Sequence, residues 1–169
     1  MDAGKARIMT TRRLASMLFA AVSAMALWRI CYLPYRCNVR EKTLVATSEH
    51  ALKASEATVA IQTARTIIQD ADHLLAECPH EIDLMMIRAA NQRVIGDFAG
   101  AANTYRDAID VQKRQELYFE LGSTELALGN RESAADAYTN CVRFYPAQIA
   151  NIVDSRVRAA VEERVFRRK

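Results

Sequence analysis

Apolar positions fall into two regimes along this chain. Residues 14–33 form a nearly unbroken apolar run, LASMLFAAVSAMALWRICYL, interrupted by one charge at Arg29. From about residue 42 onward apolar side chains recur every three or four positions between charged ones, the period of amphipathic helices. Alternation with period two is scarce, and 5 Gly and 3 Pro leave little material for the turns of an all-β fold. The expected fold class is all-α: a transmembrane helix near the start, then a short solenoid of helical hairpins closed by a C-terminal capping helix.

Residues 1–13 make a basic head with Lys5, Arg7, Arg12 and Arg13. The apolar run follows at once, and twenty helical residues span about 30 Å, the thickness of a bilayer core. Residues 14–35 are therefore expected to anchor the chain, ending at Pro34, with 36–41 as a connector. Trp28, Arg29, Tyr32 and Tyr35 suit the membrane interface, where amphipathic rings and a snorkelling guanidinium settle. Ser16, Ala20 and Ala24 repeat every four residues, a stripe that admits a neighbouring helix. The alternative is a signal peptide cut after Ala24-Met25-Ala26, which would release a secreted domain. Basic residues flank the run on both sides, so orientation rests on the short basic head: N-terminus cytoplasmic, remainder outside, as at a bacterial inner membrane facing the periplasm.

Beyond the connector, helices are expected at 42–54 and 57–77, a repeat-like hairpin within residues 42–81, with one long helix as the rival. A clearer repeat follows. The stretch from Gly96 through Ala101, Tyr105 and Ala108 aligns at an offset of 33 with Gly129, Ala134, Tyr138 and Cys141. The second copy adds Tyr118, Leu121 and Gly122 before it and Pro146 after it. Small residues at Gly122, Ala134 and Cys141 let antiparallel helices approach, Tyr138 fills the space between them, and Gly129 permits a tight turn. Asp97 and Asn130 follow their glycines as helix N-caps would, and Pro146 stops the last helix. This set of positions resembles the tetratricopeptide repeat family, with residues 82–147 as two repeats. Residues 148–169 are expected to be one amphipathic capping helix with a basic tail, its apolar stripe comprising Ile149, Ile152, Val153, Val157, Ala160, Val161 and Phe166.

The resemblance implies a non-catalytic scaffold whose first helices line a groove for another protein. Carried over by position, that groove comprises Asp83, Met86, Ala90 and Arg93, then Glu116, Phe119, Ser123 and Leu126. Met86, Phe119 and Leu126 would anchor apolar side chains, and Asp83 and Glu116 would select a basic partner. The competing arrangement packs some of these residues against the terminal helix. Two other functions suit the same pattern: an accessory or assembly subunit of a larger membrane complex, and a secreted binding module.

Charge and chemistry narrow the choice further. Residues 1–42 carry a net +6, residues 43–155 a net −7 and residues 156–169 a net +4. An acidic folded portion argues against nucleic acid. No phosphate loop, zinc-protease helix or nucleophile elbow occurs, so neither an enzyme, a cofactor nor a small-molecule substrate is expected. His73, Cys78 and His80 lie close in sequence, but three ligands without a fourth make a poor zinc set and no metal is expected. The four cysteines read as structural thiols, although a bond between Cys31 and Cys37 is sterically conceivable in an exported chain.

Overall fold

The computed structural model describes Phe19, residues 21–29, 33–52 and 57–167. Among these residues there is no strand, and the protein is all-helical. The chain divides into two compact units, Met1–Arg40 and Glu41–Lys169.

In the first unit residues 21–27 are helical, and Phe19, Val22, Met25, Leu27 and Trp28 expose more than half of their surface. Of the expected span at 14–35, residues 14–18, 20 and 30–32 lie outside the described residues, Ser16, Ala20 and Tyr32 among them, as does the whole basic head. Among the described residues, no helix is long and apolar enough to cross a membrane. Helix α1, Leu33–Leu52, begins in this unit with Pro34 in its first turn, where a missing N–H costs nothing. Residues 36–41, for which the pattern predicts a connector, are helical. Cys37 is buried and disulfide-bonded.

Among its described residues the second unit holds the rest of α1 and six further helices: α2 Ala57–Glu77, α3 Ile82–Val94, α4 Phe98–Val111, α5 Gln115–Ala127, α6 Arg131–Phe144 and α7 Ser155–Glu162. A 3₁₀ helix, Pro146–Asn151, precedes α7 and a π turn, Glu163–Arg167, follows it. Along α2 the buried residues are Ala64, Ile67, Ala71 and Leu74, spaced three and four apart, so a single face is apolar. That face packs with Leu44 of α1 and Leu84 of α3. Full burial of Ile67 and of Leu84 contributes about 1.5–3 kcal/mol each. Polar ties complete the packing: Asn91 donates to Ser48 at 3.0 Å, and Arg88 joins Asp72 at 2.6 Å while donating to Thr104 at 2.8 Å.

Helices α3 and α4 form one hairpin and α5 and α6 a second, and every start and end in the second lies 33 residues after its counterpart in the first. The turn glycines explain the regularity. Gly96 and Gly129 adopt φ of 83° and 82°, a region closed to most L side chains. In both turns the glycine N–H bonds back to a carbonyl three residues earlier, Arg93 at 3.0 Å and Leu126 at 2.9 Å. Asp97 then caps α4 by accepting from the Gly100 N–H at 2.9 Å. Asn130 does not cap α6 in this way; its side-chain amide donates to Glu125 at 2.9 Å.

Inside the hairpins Tyr105 and Tyr138 are almost wholly buried, and a Cβ at Gly122 would lie 2.9 Å from the Tyr138 ring. The small residue is thus a requirement of helix approach. Ala101, Ala102, Tyr105 and Ala108 gather around Ala89, Leu117 and Leu121 in one core, and Ala134, Ala135, Tyr138 and Val142 pack with Ile152, Val157 and Val161 in another.

The expected continuous helix over 148–169 is corrected. Pro146 opens the 3₁₀ helix, the chain runs extended through Ile152, and Asp154 starts α7 by accepting from the Arg156 and Val157 N–H groups at 2.9 and 3.1 Å. Of the expected apolar stripe, Ile152, Val157 and Val161 are buried, whereas Val153 is 90% exposed and Phe166 55% exposed. The interruption by Asp154 shifts the helical phase and turns Val153 outward.

Candidate functional site

The eight groove positions lie on α3 and α5, and the structure divides them into three kinds. Asp83 is engaged with Arg114 at 3.0 Å, and Arg93 is ion-paired with Glu120. Ser123 donates to the Glu120 carbonyl at 3.0 Å. Met86 is half-buried against the first hairpin core, and Phe119 and Leu126 are half-buried against the core shared by α6, the 3₁₀ helix and α7. These three are therefore walls more than free anchors. Phe119 and Tyr138 pack edge to face, with ring centroids 5.4 Å apart and planes at 66°. Ala90 is half-buried, and Glu116 is exposed with a contact of 3.3 Å from the Gln115 amide.

A depression of about 390 Å³ opens along α5 and is lined by Gln115, Glu116, Phe119 and Glu120 from that helix and by Gln148 and Asn151 from the 3₁₀ helix. Spacing within α5 explains one wall, since positions three and four apart share a helix face, as Glu116 does with Phe119 and Glu120. The other wall is not legible as such, because residues 146–151 read as the first turn of a longer amphipathic helix. Glu120 also escapes the position-by-position assignment.

Burial and charge around this face tune the nearby acids. The Tyr138 hydroxyl is pushed up to about 12, first by burial and then by the Glu120 carboxylate, with Arg93 opposing. Tyr105 is raised for the same leading reasons. The Cys141 thiol is pushed up to about 11 by burial and by Glu116, which leaves it a fully buried, protonated free thiol. Such a thiol is a poor nucleophile.

Of the repeat-defining residues, Ala101, Tyr105, Ala108, Tyr118, Leu121, Ala134, Tyr138 and Cys141 are buried between helices, Gly96 and Gly129 make the turns, and Gly122 lies under Tyr138. Tyr118 stacks on Phe144 with centroids 6.0 Å apart. Pro146 stands after α6, whose last residue is Phe144.

The structural-thiol reading is corrected at two cysteines, since Cys37 and Cys78 are disulfide-bonded. Disulfide partners are set by tertiary packing, which spacing along a chain does not carry. Cys31 lies outside the described residues. His73, Cys78 and His80 do not converge; both histidines are exposed. Among the described residues, Glu41, Glu81 and Asp83 instead bring carboxylate oxygens within 4.8 Å of one another. Burial, then Glu81 and Asp83, raise the Glu41 carboxyl above its usual range. Of the expected interface residues, Trp28 and Arg29 are exposed in the first unit, Tyr35 lies within α1, and Tyr32 is outside the described residues.

No protein-family model matches the chain, and neither does any curated protein.

Proposed function

We propose that this protein is a non-catalytic, membrane-anchored scaffold of tetratricopeptide-like hairpins that holds another protein at the extracytoplasmic face of a membrane. The observation that carries the reading is the second hairpin: its helices repeat those of the first at a constant 33-residue interval, each turn made by a glycine at positive φ. Repetition of this kind builds an extended surface from the first helices of successive hairpins, and α5 carries the depression at such a surface. Support for an anchor comes from the apolar run at 14–33 and from the exposed Phe19, Val22, Met25, Leu27 and Trp28. The disulfide-bonded state of Cys37 and Cys78 supports an oxidising compartment.

The test is purification of the full chain from membranes in mild detergent, with intact masses of everything that copurifies. A chain of 19.0 kDa recovered from the membrane fraction with a defined protein partner is the expected result. A chain cut after Ala26 and found only in the soluble fraction overturns the anchored reading. Recovery from membranes without any partner overturns the scaffold.

A further inference from the structure

We infer that the depression between α5 and the 3₁₀ helix takes an extended segment of another protein bearing a lysine or arginine, whose cation sits against Glu116 and Glu120. The inference rests on the scaffold reading above and deepens it by assigning the chemistry of the partner. The six lining side chains include two carboxylates, three amides and one aromatic ring, and none is cationic. Glu116 is exposed and meets a neutral amide. Glu120 is already joined to Arg93, which cancels most of its charge, so Glu116 is the carboxylate that draws the cation and Glu120 offers its second oxygen. An anion here would face Glu116 at short range, whereas a cation gains from it.

The opposite wall suits a peptide backbone. Asn151 donates through its amide nitrogen to Gln148 at 2.7 Å, an arrangement that leaves the Gln148 amide nitrogen as donor and the Asn151 oxygen as acceptor. One donor beside one acceptor matches the alternating C=O and N–H of an extended chain. The volume of about 390 Å³ falls near the lower end of the range for small-molecule pockets. An amphipathic helix fits poorly, because Phe119, packed against the Tyr138 ring, and Leu126 are both half-buried on the core, which leaves little apolar surface. Residues 43–155, acidic as a whole, would steer a basic segment toward the site.

The experiment uses the full chain in mild detergent and three fluorescein-labelled dodecapeptide pools of Gly, Ser and Ala, with Lys, Gln or Glu fixed at the centre. Fluorescence anisotropy is read for the wild type, Glu116→Lys, Glu116→Gln and Asp107→Lys. Asp107 is exposed on α4 and outside the depression, so the last variant repeats the charge change elsewhere. The Lys pool is expected to bind at least about tenfold more tightly than the Gln pool, a difference of about 1.4 kcal/mol. Glu116→Lys should abolish that preference, Glu116→Gln should weaken it, and Asp107→Lys should leave it. Equal binding of the Gln or Glu pool overturns the inference, as does an equal loss in Asp107→Lys. Self-association of the chain that Glu116→Lys abolishes, without peptide binding, also overturns it in favour of a second copy as occupant. If no pool binds but a copurified partner survives Glu116→Lys, the inference fails and the scaffold stands; if neither binds, both fail.

Discussion

The two hairpins share one backbone and solve its interior differently. Position 92 of the first and position 125 of the second each meet the residue that follows the turn glycine. In the first, Gln92 contacts Asp97 at 3.5 Å and accepts from Thr104 at 2.9 Å, so a neutral amide fills the position. In the second, Glu125 is a carboxylate with a side chain 1% exposed, held by Asn130 at 2.9 Å and ion-paired with Arg106 of α4. The charged version therefore ties one hairpin to the other, and the neutral version ties a hairpin to itself. Beneath the tyrosines the pairing differs again: Ala89 belongs to the core around Tyr105, whereas only Gly122 fits under Tyr138. A repeat can thus keep its geometry while exchanging a charge and a methyl group.

The largest effect should come from separating the buried charge from its partner. Arg106→Ala leaves the Glu125 carboxylate buried without a cation and should destabilise the second unit by about 3 kcal/mol, the lower end of what breaking a buried pair costs. Glu125→Gln copies position 92 and should cost under about 1 kcal/mol, since Arg106 is half-exposed and can turn to water. Urea unfolding of both variants checks this; equal losses would mean that the ion pair does not join the hairpins.

A smaller effect should distinguish the tyrosine sites. Gly122→Ala places a methyl group 2.9 Å from the Tyr138 ring, and overpacking of this kind costs about 1–3 kcal/mol against a helix-propensity gain of about 1 kcal/mol. The reverse change, Ala89→Gly, meets no obstacle and loses about 0.5–1 kcal/mol of helix preference together with a buried methyl contact. Thermal unfolding should show both variants less stable, with the Tyr138 ring displaced only in Gly122→Ala. A Gly122→Ala protein more stable than wild type would contradict the close approach.

The smallest effect is a slope. Cys141 occupies the position of Ala108, and its thiol is raised to about 11 from an ordinary value of 9. A raised acid keeps its proton longer in the folded chain, so its stabilising contribution is complete below about pH 9 and is lost as pH rises toward about 11. Tyr138, raised to about 12 from 10, loses its contribution over a window one unit higher. Stability measured by denaturant from pH 8 to 10 should fall in the wild type and stay flatter in Cys141→Ala, whatever the offset between the two curves. Parallel curves would remove the thiol from the account.

Legibility in the sequence followed punctuation. Gly96 and Gly129, each followed by an Asp or Asn, mark their turns because few residues adopt positive φ, and the buried faces of α2, α4 and α6 follow from apolar spacing alone. Three features were hidden for physical reasons. Nothing in residues 36–41 opposes helix, so a change of composition there does not mark an end to α1. Asp154 interrupts the terminal apolar stripe with a cap that periodicity does not register, and so the second wall of the depression escaped notice. Asp83 and Arg114 are 31 residues apart, and their pairing, which removes Asp83 from the groove, emerges only when α3 and α5 are placed side by side.

The most direct measurement is hydrogen exchange by mass spectrometry on the full chain in detergent, with and without its copurified partner. The account predicts that partner binding slows exchange in peptides covering 115–120 and 146–151 and leaves those covering 131–144 unchanged. Protection confined to 131–144 or to 155–167, with 115–120 unaffected, would contradict the assignment of the α5 face as the surface that holds the partner.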